Sequence, residues 1–82
     1  MTAAPWDYEA VSGTKVRLTN RTGAKAVAVS VHVVEGDRHV HSAPTPVEPD
    51  ASFDFKTSGG LIHRLGWTSL EPKQENTWTF ET

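Results

Sequence analysis

Residues 26–42 read Ala-Val-Ala-Val-Ser-Val-His-Val-Val-Glu-Gly-Asp-Arg-His-Val-His-Ser and carry the clearest structural signal of the chain. Valines stand at positions 27, 29, 31 and 33 and alternate with smaller or more polar residues. A period of two predicts a strand with one buried face. Gly36-Asp37 fits a two-residue hairpin turn, because glycine tolerates the positive φ that such a turn requires. The stretch therefore predicts a β-hairpin whose valine face is covered by the rest of the chain.

Further segments with the same alternation flank this hairpin, at residues 6–9, 14–19, 51–56 and 77–82. Prolines cannot donate ladder hydrogen bonds, so the proline-rich residues 43–50 predict a crossing from one sheet to another. Residues 61–70 fit either a strand or a short helix, and Gly66 favours the strand. The polar residues 71–76 predict a turn.

Six or seven short strands separated by turn signals predict an all-β fold, a small two-sheet sandwich of the immunoglobulin-like kind with antiparallel strands. A small β-barrel is the alternative. The chain has the length of one domain over residues 1–82, with 1–5 as a loose tail. The turn residues 20–23 predict that the strand 14–19 pairs with the valine strand and sets Val16 opposite Val27.

Composition narrows the class of protein. The 82 residues carry a net charge of −2, which is not the basic field of a nucleic-acid-binding protein. The sequence contains no cysteine, which excludes disulfides, thiolate metal sites and a cysteine nucleophile. No apolar run approaches the roughly 20 residues that span a bilayer, and no signal peptide is visible. We expect a soluble protein without membrane contact, and the cytoplasm is consistent with this composition.

Three histidines of the predicted hairpin form a candidate metal site. With a two-residue loop, His41 faces His32 across the hairpin and His39 lies two residues away, all on the side opposite the valines. Three imidazoles in this arrangement suit Zn²⁺, Ni²⁺ or Cu²⁺ with one open position. The alternative is a solvated polar face without metal, and it is favoured because His-X-His is common on exposed strands. Crowded imidazoles without metal predict a hairpin that loosens in acid.

A second candidate is a flat face for a protein partner. In the predicted pairing of 14–19 with the valine strand, the small side chains of Ala26, Ala28 and Ser30 lie beside Lys15 and Arg17. A shallow apolar patch with charge at its rim is typical of a docking surface. The alternative is that the N-terminal segment or a loop covers this face.

The tryptophans are a third candidate, because an exposed indole ring stacks on sugars or anchors an interface. We expect Trp78 in the core, and Trp67 and Trp6 as possible stacking residues, with Trp67 the more exposed. The corresponding function is a carbohydrate-binding module.

Catalytic motifs are not apparent, since no G-x-S-x-G turn or Gly-rich phosphate loop occurs. The leading hypothesis is a non-enzymatic protein-binding or assembly module that presents a sheet face or edge to a protein partner or to itself. The alternatives are a metal-binding protein that uses the histidines, with zinc as the only candidate cofactor, and the carbohydrate-binding module.

Overall fold

The computed structural model describes residues 4–82, and over this range it contains seven strands and one short 3₁₀ turn, Glu35–Asp37. The strands are β1 (Trp6–Ala10), β2 (Lys15–Asn20), β3 (Val27–Val33), β4 (Arg38–Ser42), β5 (Ser52–Lys56), β6 (Ile62–Leu70) and β7 (Lys73–Glu81). The predicted tail falls partly on residues 1–3, which lie outside the described residues. Within residues 4–82 no helix has the length and apolar character needed to cross a membrane.

The described strands form two antiparallel sheets that pack face to face. The first sheet has the order β1-β2-β5 and the second sheet has the order β4-β3-β6-β7. The predicted two-sheet sandwich of antiparallel strands is confirmed. In the constant-type immunoglobulin arrangement the fourth strand joins the sheet of the first, second and fifth strands. Here β4 pairs with β3 instead, which enlarges the second sheet.

Alternating apolar residues from both sheets fill the space between them. Val29, Val31 and Val33 are buried, as the period of two predicts, and Val27 is half-buried. Phe53 and Phe55 of β5 face them from the first sheet, again as predicted. The remaining large core residues are Trp6, Val16, Leu18, Leu65, Trp67 and Phe80.

The predicted hairpin between β2 and β3 is wrong. β2 pairs with β1 on one side and β5 on the other, and Val16 lies opposite Phe55 rather than Val27. The chain leaves the first sheet after Asn20 and enters the second sheet at β3. It returns through 43–51, so the predicted crossing between sheets at the prolines is confirmed.

Asn20 joins the two segments that cross between the sheets. Its fully buried side-chain amide donates to the carbonyl oxygens of Ala24, at 2.8 Å, and Val47, at 3.0 Å. Its Oδ1 accepts from the backbone N–H of Thr22 at 2.9 Å and from the Thr22 hydroxyl at 2.7 Å. One side chain thus fixes both crossing segments, and every polar atom of the buried amide has a partner.

The C-terminal third is a long hairpin. Residues Ile62–Leu70 form a strand, which confirms the strand alternative, and His63, Leu65 and Trp67 are buried on one face. The turn predicted over 71–76 is confined to residues 71 and 72, and its extension over 73–76 is wrong, because β7 already begins at Lys73. The two strands pair without interruption from Ile62↔Glu81 to Leu70↔Lys73.

Candidate functional site

β7 is the longest edge strand of the described part of the sandwich. It spans nine residues, pairs with β6 on one side, and has no strand on its other side within residues 4–82. Its pairing with β6 contains no bulge, and its sequence contains no proline. A regular strand of this kind presents a row of backbone groups in the geometry that another strand needs.

The direction of the backbone groups follows from one hydrogen bond. The N–H of Thr82, directly after β7, donates to the carbonyl oxygen of Leu61 at 3.0 Å, so the Thr82 amide points toward β6. The directions of backbone N–H and C=O groups alternate along a strand. In β7 the backbone groups of even-numbered residues therefore point toward β6, and those of odd-numbered residues point away from the sheet. The outward residues are Lys73, Glu75, Thr77, Thr79 and Glu81, and all of them are exposed. We call the outward N–H and C=O groups of these five residues the β7 edge.

An aromatic side chain borders the β7 edge on the inner face of the second sheet. Trp78 is half-buried and stacks on Phe80 with ring centroids 5.1 Å apart. Phe80 also contacts Tyr8 of β1, at 5.7 Å, and Tyr8 is itself 38% exposed. The β7 edge therefore lies beside apolar surface that the sandwich covers only in part.

The other edges carry features that oppose strand addition. β1 is only five residues long and carries Asp7 and Glu9. β4 and β5 contact each other across the sandwich, and the proline-containing segment 43–51 joins them. Short strands, charges and prolines are the usual means of blocking a sheet edge, and the centre of β7, residues 76–80, has none of them.

The outer face of the first sheet is covered by ion pairs. The Arg17 guanidinium bonds both carboxylate oxygens of Asp54, with Nε 2.9 Å from Oδ1 and an Nη nitrogen 3.3 Å from Oδ2. Lys15 lies 3.7 Å from Asp54, and Glu9 lies 3.9 Å from Arg17. The hydrogen bond from Arg17 and the positive charge of both neighbours lower the pKa of Asp54. These groups satisfy one another, which leaves this face without a strong net charge for a ligand.

The predicted docking face does not form. Lys15 and Arg17 lie on the first sheet, whereas the three small residues precede or belong to a strand of the second sheet. Ala26 is fully buried and pairs with Val47, and Ala28 is exposed at a bulge with φ of 53°. Ser30 lies between Ser42 and Gly66 on the outer face of the second sheet. The prediction failed because it assumed that β2 pairs with β3, whereas β1 and β5 pair with the two sides of β2.

The predicted histidine trio is also wrong. His32 lies opposite His39, with ring centroids 5.2 Å apart, rather than opposite His41. A β-bulge adds Val40 to β4, so the side of the strand changes and His41 packs against Phe53 on the inner face. Among residues 4–82 no group of three or more His, Cys, Asp or Glu side chains is placed to hold a metal ion.

Two histidines instead belong to the core. His63 is fully buried, its Nδ1 donates to the Leu61 carbonyl oxygen at 3.3 Å, and its Nε2 accepts from the Thr57 hydroxyl at 2.7 Å. The Nε2 of His41 is buried without a hydrogen-bond partner among the described residues. Burial is the largest cause that lowers the pKa of both imidazoles, and the charges of His39 at His41 and of Arg38 at His63 lower it further. The hydrogen bond to Leu61 offsets part of the decrease in the pKa of His63. Both side chains are therefore neutral packing groups near pH 7.

Trp67 is more exposed than Trp6, as predicted, but Trp78 is the most exposed of the three tryptophans, which the sequence did not predict. Trp6 and Trp67 are 1% and 8% exposed and meet edge to face at 5.7 Å, so neither ring offers a face to a sugar. Trp78, which we expected in the core, is the one with an accessible surface, because it lies on the edge strand.

A surface groove with a volume of about 410 Å³ lies between the turns that follow β2 and β6. Its wall includes the ion pair of Lys25 with Glu48, 3.6 Å apart, and the exposed side chain of Leu70. Comparisons with protein-family models, curated proteins and solved structures found no match to this chain. The β7 edge, which the sequence hid behind a predicted turn, is the surface best suited to binding. The alternation of Gln74, Asn76, Trp78 and Phe80 with charged residues and threonines was the signal for it.

Proposed function

We propose that this protein is a non-enzymatic protein-binding module that adds a strand of a protein partner to the second sheet along the β7 edge. The observation that carries the proposal is the nine-residue, bulge-free edge strand with outward N–H and C=O groups. Strand addition uses such groups for affinity and alternate side chains for specificity.

The residues around the β7 edge provide both affinity and specificity for a partner strand. Outward backbone groups at Glu75, Thr77 and Thr79 offer hydrogen bonds across the centre of the strand, where the threonines bring no charge that would repel a partner. Trp78 provides an aromatic contact on the inner side, in the position where interface anchors concentrate. Lys73 and Glu81 lie at opposite ends of the strand and give the edge a direction that a partner can match.

In vivo photo-crosslinking tests the proposal. We would place a photo-crosslinking amino acid at Thr79 on the β7 edge, and at Ser52, which is exposed on the outer face of the first sheet, as a position control. Expressed in the organism of origin, the chain labelled at Thr79 should form a defined protein adduct, and the chain labelled at Ser52 should not.

A pair of substitutions at Thr77 separates strand addition from ordinary side-chain contact. Thr77→Pro removes an outward N–H while leaving the bonds between β6 and β7 in place, which edge strands tolerate. Thr77→Val keeps the N–H and a β-branched side chain. Loss of the adduct with Thr77→Pro and its retention with Thr77→Val would support the proposal. Adducts from Ser52 but not Thr79, or an adduct insensitive to Thr77→Pro, would refute it.

A further inference from the structure

We infer that the strand received by the β7 edge is β7 of a second copy of this chain, paired antiparallel about a two-fold axis through Thr77. The inference rests on the proposed function and names its partner. The two second sheets then become one continuous sheet, and both β7 strands cease to be edges.

The charges along β7 fit this register. With Thr77 opposite Thr77 of the second copy, Lys73 faces Glu81 of the second copy at both ends of the strand. Glu75 faces Thr79 of the second copy, so no two like charges lie directly opposite each other. All nine residues of the strand are paired in this arrangement. Opposite charges placed directly across two strands stabilise the pairing, and like charges oppose it.

Neighbouring registers lack this complementarity. An axis through Trp78 sets Glu75 opposite Glu81, and an axis through Glu75 sets that carboxylate against its own copy. An axis through Asn76 loses both lysine–glutamate pairs. Axes between residues place outward-pointing backbone groups opposite inward-pointing ones, so they form no ladder. The axis through Thr77 is therefore favoured by charge and by hydrogen bonding together.

The backbone and the aromatic residues suit the same axis. Because odd-numbered residues point outward, Thr77 and its copy exchange N–H···O bonds on the axis, and Glu75 does so with Thr79 of the second copy. On the inner face Trp78 lies opposite Asn76 of the second copy and diagonal to Trp78 of the second copy. Diagonal neighbours are within reach of aromatic side chains. Pairing thus covers the half-exposed indole rings.

The charges that the inference uses have no other partners in the described structure. Within residues 4–82 neither Lys73 nor Glu81 takes part in an ion pair, whereas Lys15, Arg17 and Asp54 of the first sheet are joined to one another. A chain of this size has a small core, so additional burial on pairing benefits it.

Charge exchange between the ends of β7 tests the register. We would measure self-association of the full purified chain by sedimentation equilibrium at low ionic strength, where screening is weak. Lys73→Glu and Glu81→Lys should each raise the dimer dissociation constant on the order of tenfold or more, because each creates two like-charge pairs. The double variant K73E/E81K should restore it. An equimolar mixture of the two single variants should form heterodimers about as tight as the wild-type dimer.

Some results of these experiments would overturn the inference, and others would support it. A monomer at all concentrations, a dimer insensitive to both charge changes, or two single variants that fail to associate when mixed would overturn the inference. Thr77→Pro should abolish the dimer and Thr77→Val should keep it, with circular dichroism of both confirming the fold. If the chain is monomeric but its photo-adduct from Thr79 contains a different protein, self-pairing fails while the proposed function stands. An adduct of two copies supports both.

Discussion

Substitution of Asn20 by alanine should lower the stability of this protein far more than the small size of the change suggests. The side chain is fully buried, and its amide bonds to both segments that carry the chain between the sheets. In the variant the carbonyl oxygen of Val47 still accepts from the N–H of Ala26. The Thr22 hydroxyl, no longer bonded to Asn20 Oδ1, donates instead to the carbonyl oxygen of Ala24, 3.0 Å away. The N–H of Thr22 loses its partner.

The expected cost follows from this inventory. One orphaned donor costs about 1 kcal/mol, the low end of the usual range, because Thr22 is exposed and water can reach it. Each of the two lost bonds from the amide nitrogen, to Ala24 and to Val47, contributes about 0.5–1.5 kcal/mol. We expect a total of about 2–4 kcal/mol. A chain of 82 residues has a free energy of unfolding of roughly 4–12 kcal/mol. The variant therefore loses a large share of its stability, and its melting temperature should fall by about 10–25 °C.

Asn20→Asp provides a sharper version of the same test. The carboxylate keeps the acceptor toward Thr22 but points an unpaired negative charge at the carbonyl oxygens of Ala24 and Val47. At pH 7 it should be at least as destabilising as alanine, and it should recover part of the loss in acid, where the protonated acid again donates.

Urea unfolding followed by tryptophan fluorescence measures both effects. Thr19→Ala on the outer face is the control and should change the free energy of unfolding by no more than about 0.5 kcal/mol. If Asn20→Ala fell within the same 0.5 kcal/mol, the assignment of the crossing to this amide would be refuted.

Three more predictions concern the buried histidines, the tryptophans and metal binding. Acid should destabilise the fold, because burial lowers the folded-state pKa of His41 and His63, so the unfolded chain binds more protons than the folded chain. The contribution of the two neutral histidines to the free energy of unfolding is complete above about pH 6.5 and is lost as the pH falls through their folded-state pKa values. A urea midpoint that stays constant between pH 7.5 and 5 would contradict this. His41→Leu removes an unpaired buried nitrogen, so it should weaken the pH dependence of stability without lowering stability at pH 7. Trp6→Ala should cost about 3–5 kcal/mol although it lies near the N-terminus, and Trp78→Ala should cost clearly less; equal urea midpoints would refute the burial assignment. One equivalent of Zn²⁺ should move the melting temperature by less than about 1 °C, and a rise of several degrees that His39→Ala removes would show a site.

The strands and their inward faces were predictable because the period of two is local. Val29 and Val31, Phe53 and Phe55, and Trp78 and Phe80 alternate with polar residues in sequence, and each pair lies on the inner face of its sheet. The crossing before β5 was predictable for the same local reason, because proline cannot take part in a central ladder.

The errors all arise where a partner or one extra residue decides the result. Whether the strand after Asn20 pairs with β2 or crosses to the other sheet depends on a buried amide whose partners lie as far away as Val47. The face of His41 depends on the bulge at Val40, and one inserted residue reverses every side chain beyond it. Neither feature changes the hydrophobic periodicity of the sequence. The predicted docking face and the predicted histidine trio both assumed regular strand pairing, and neither forms.

The start of β7 shows how the same ambiguity hid the proposed binding surface. Lys73 to Asn76 is as polar as a turn, because these residues lie on an edge strand with little core to face. An edge strand with unpaired backbone groups, and without a proline or a bulge, favours unwanted association, since any extended chain can pair with it. In the proposed dimer, the symmetric placement of Lys73 and Glu81 about Thr77 would restrict pairing to a strand of matching charge. Selectivity would then come from the ends of β7 and affinity from the backbone between them, so substitutions at the ends should change the partner without abolishing binding.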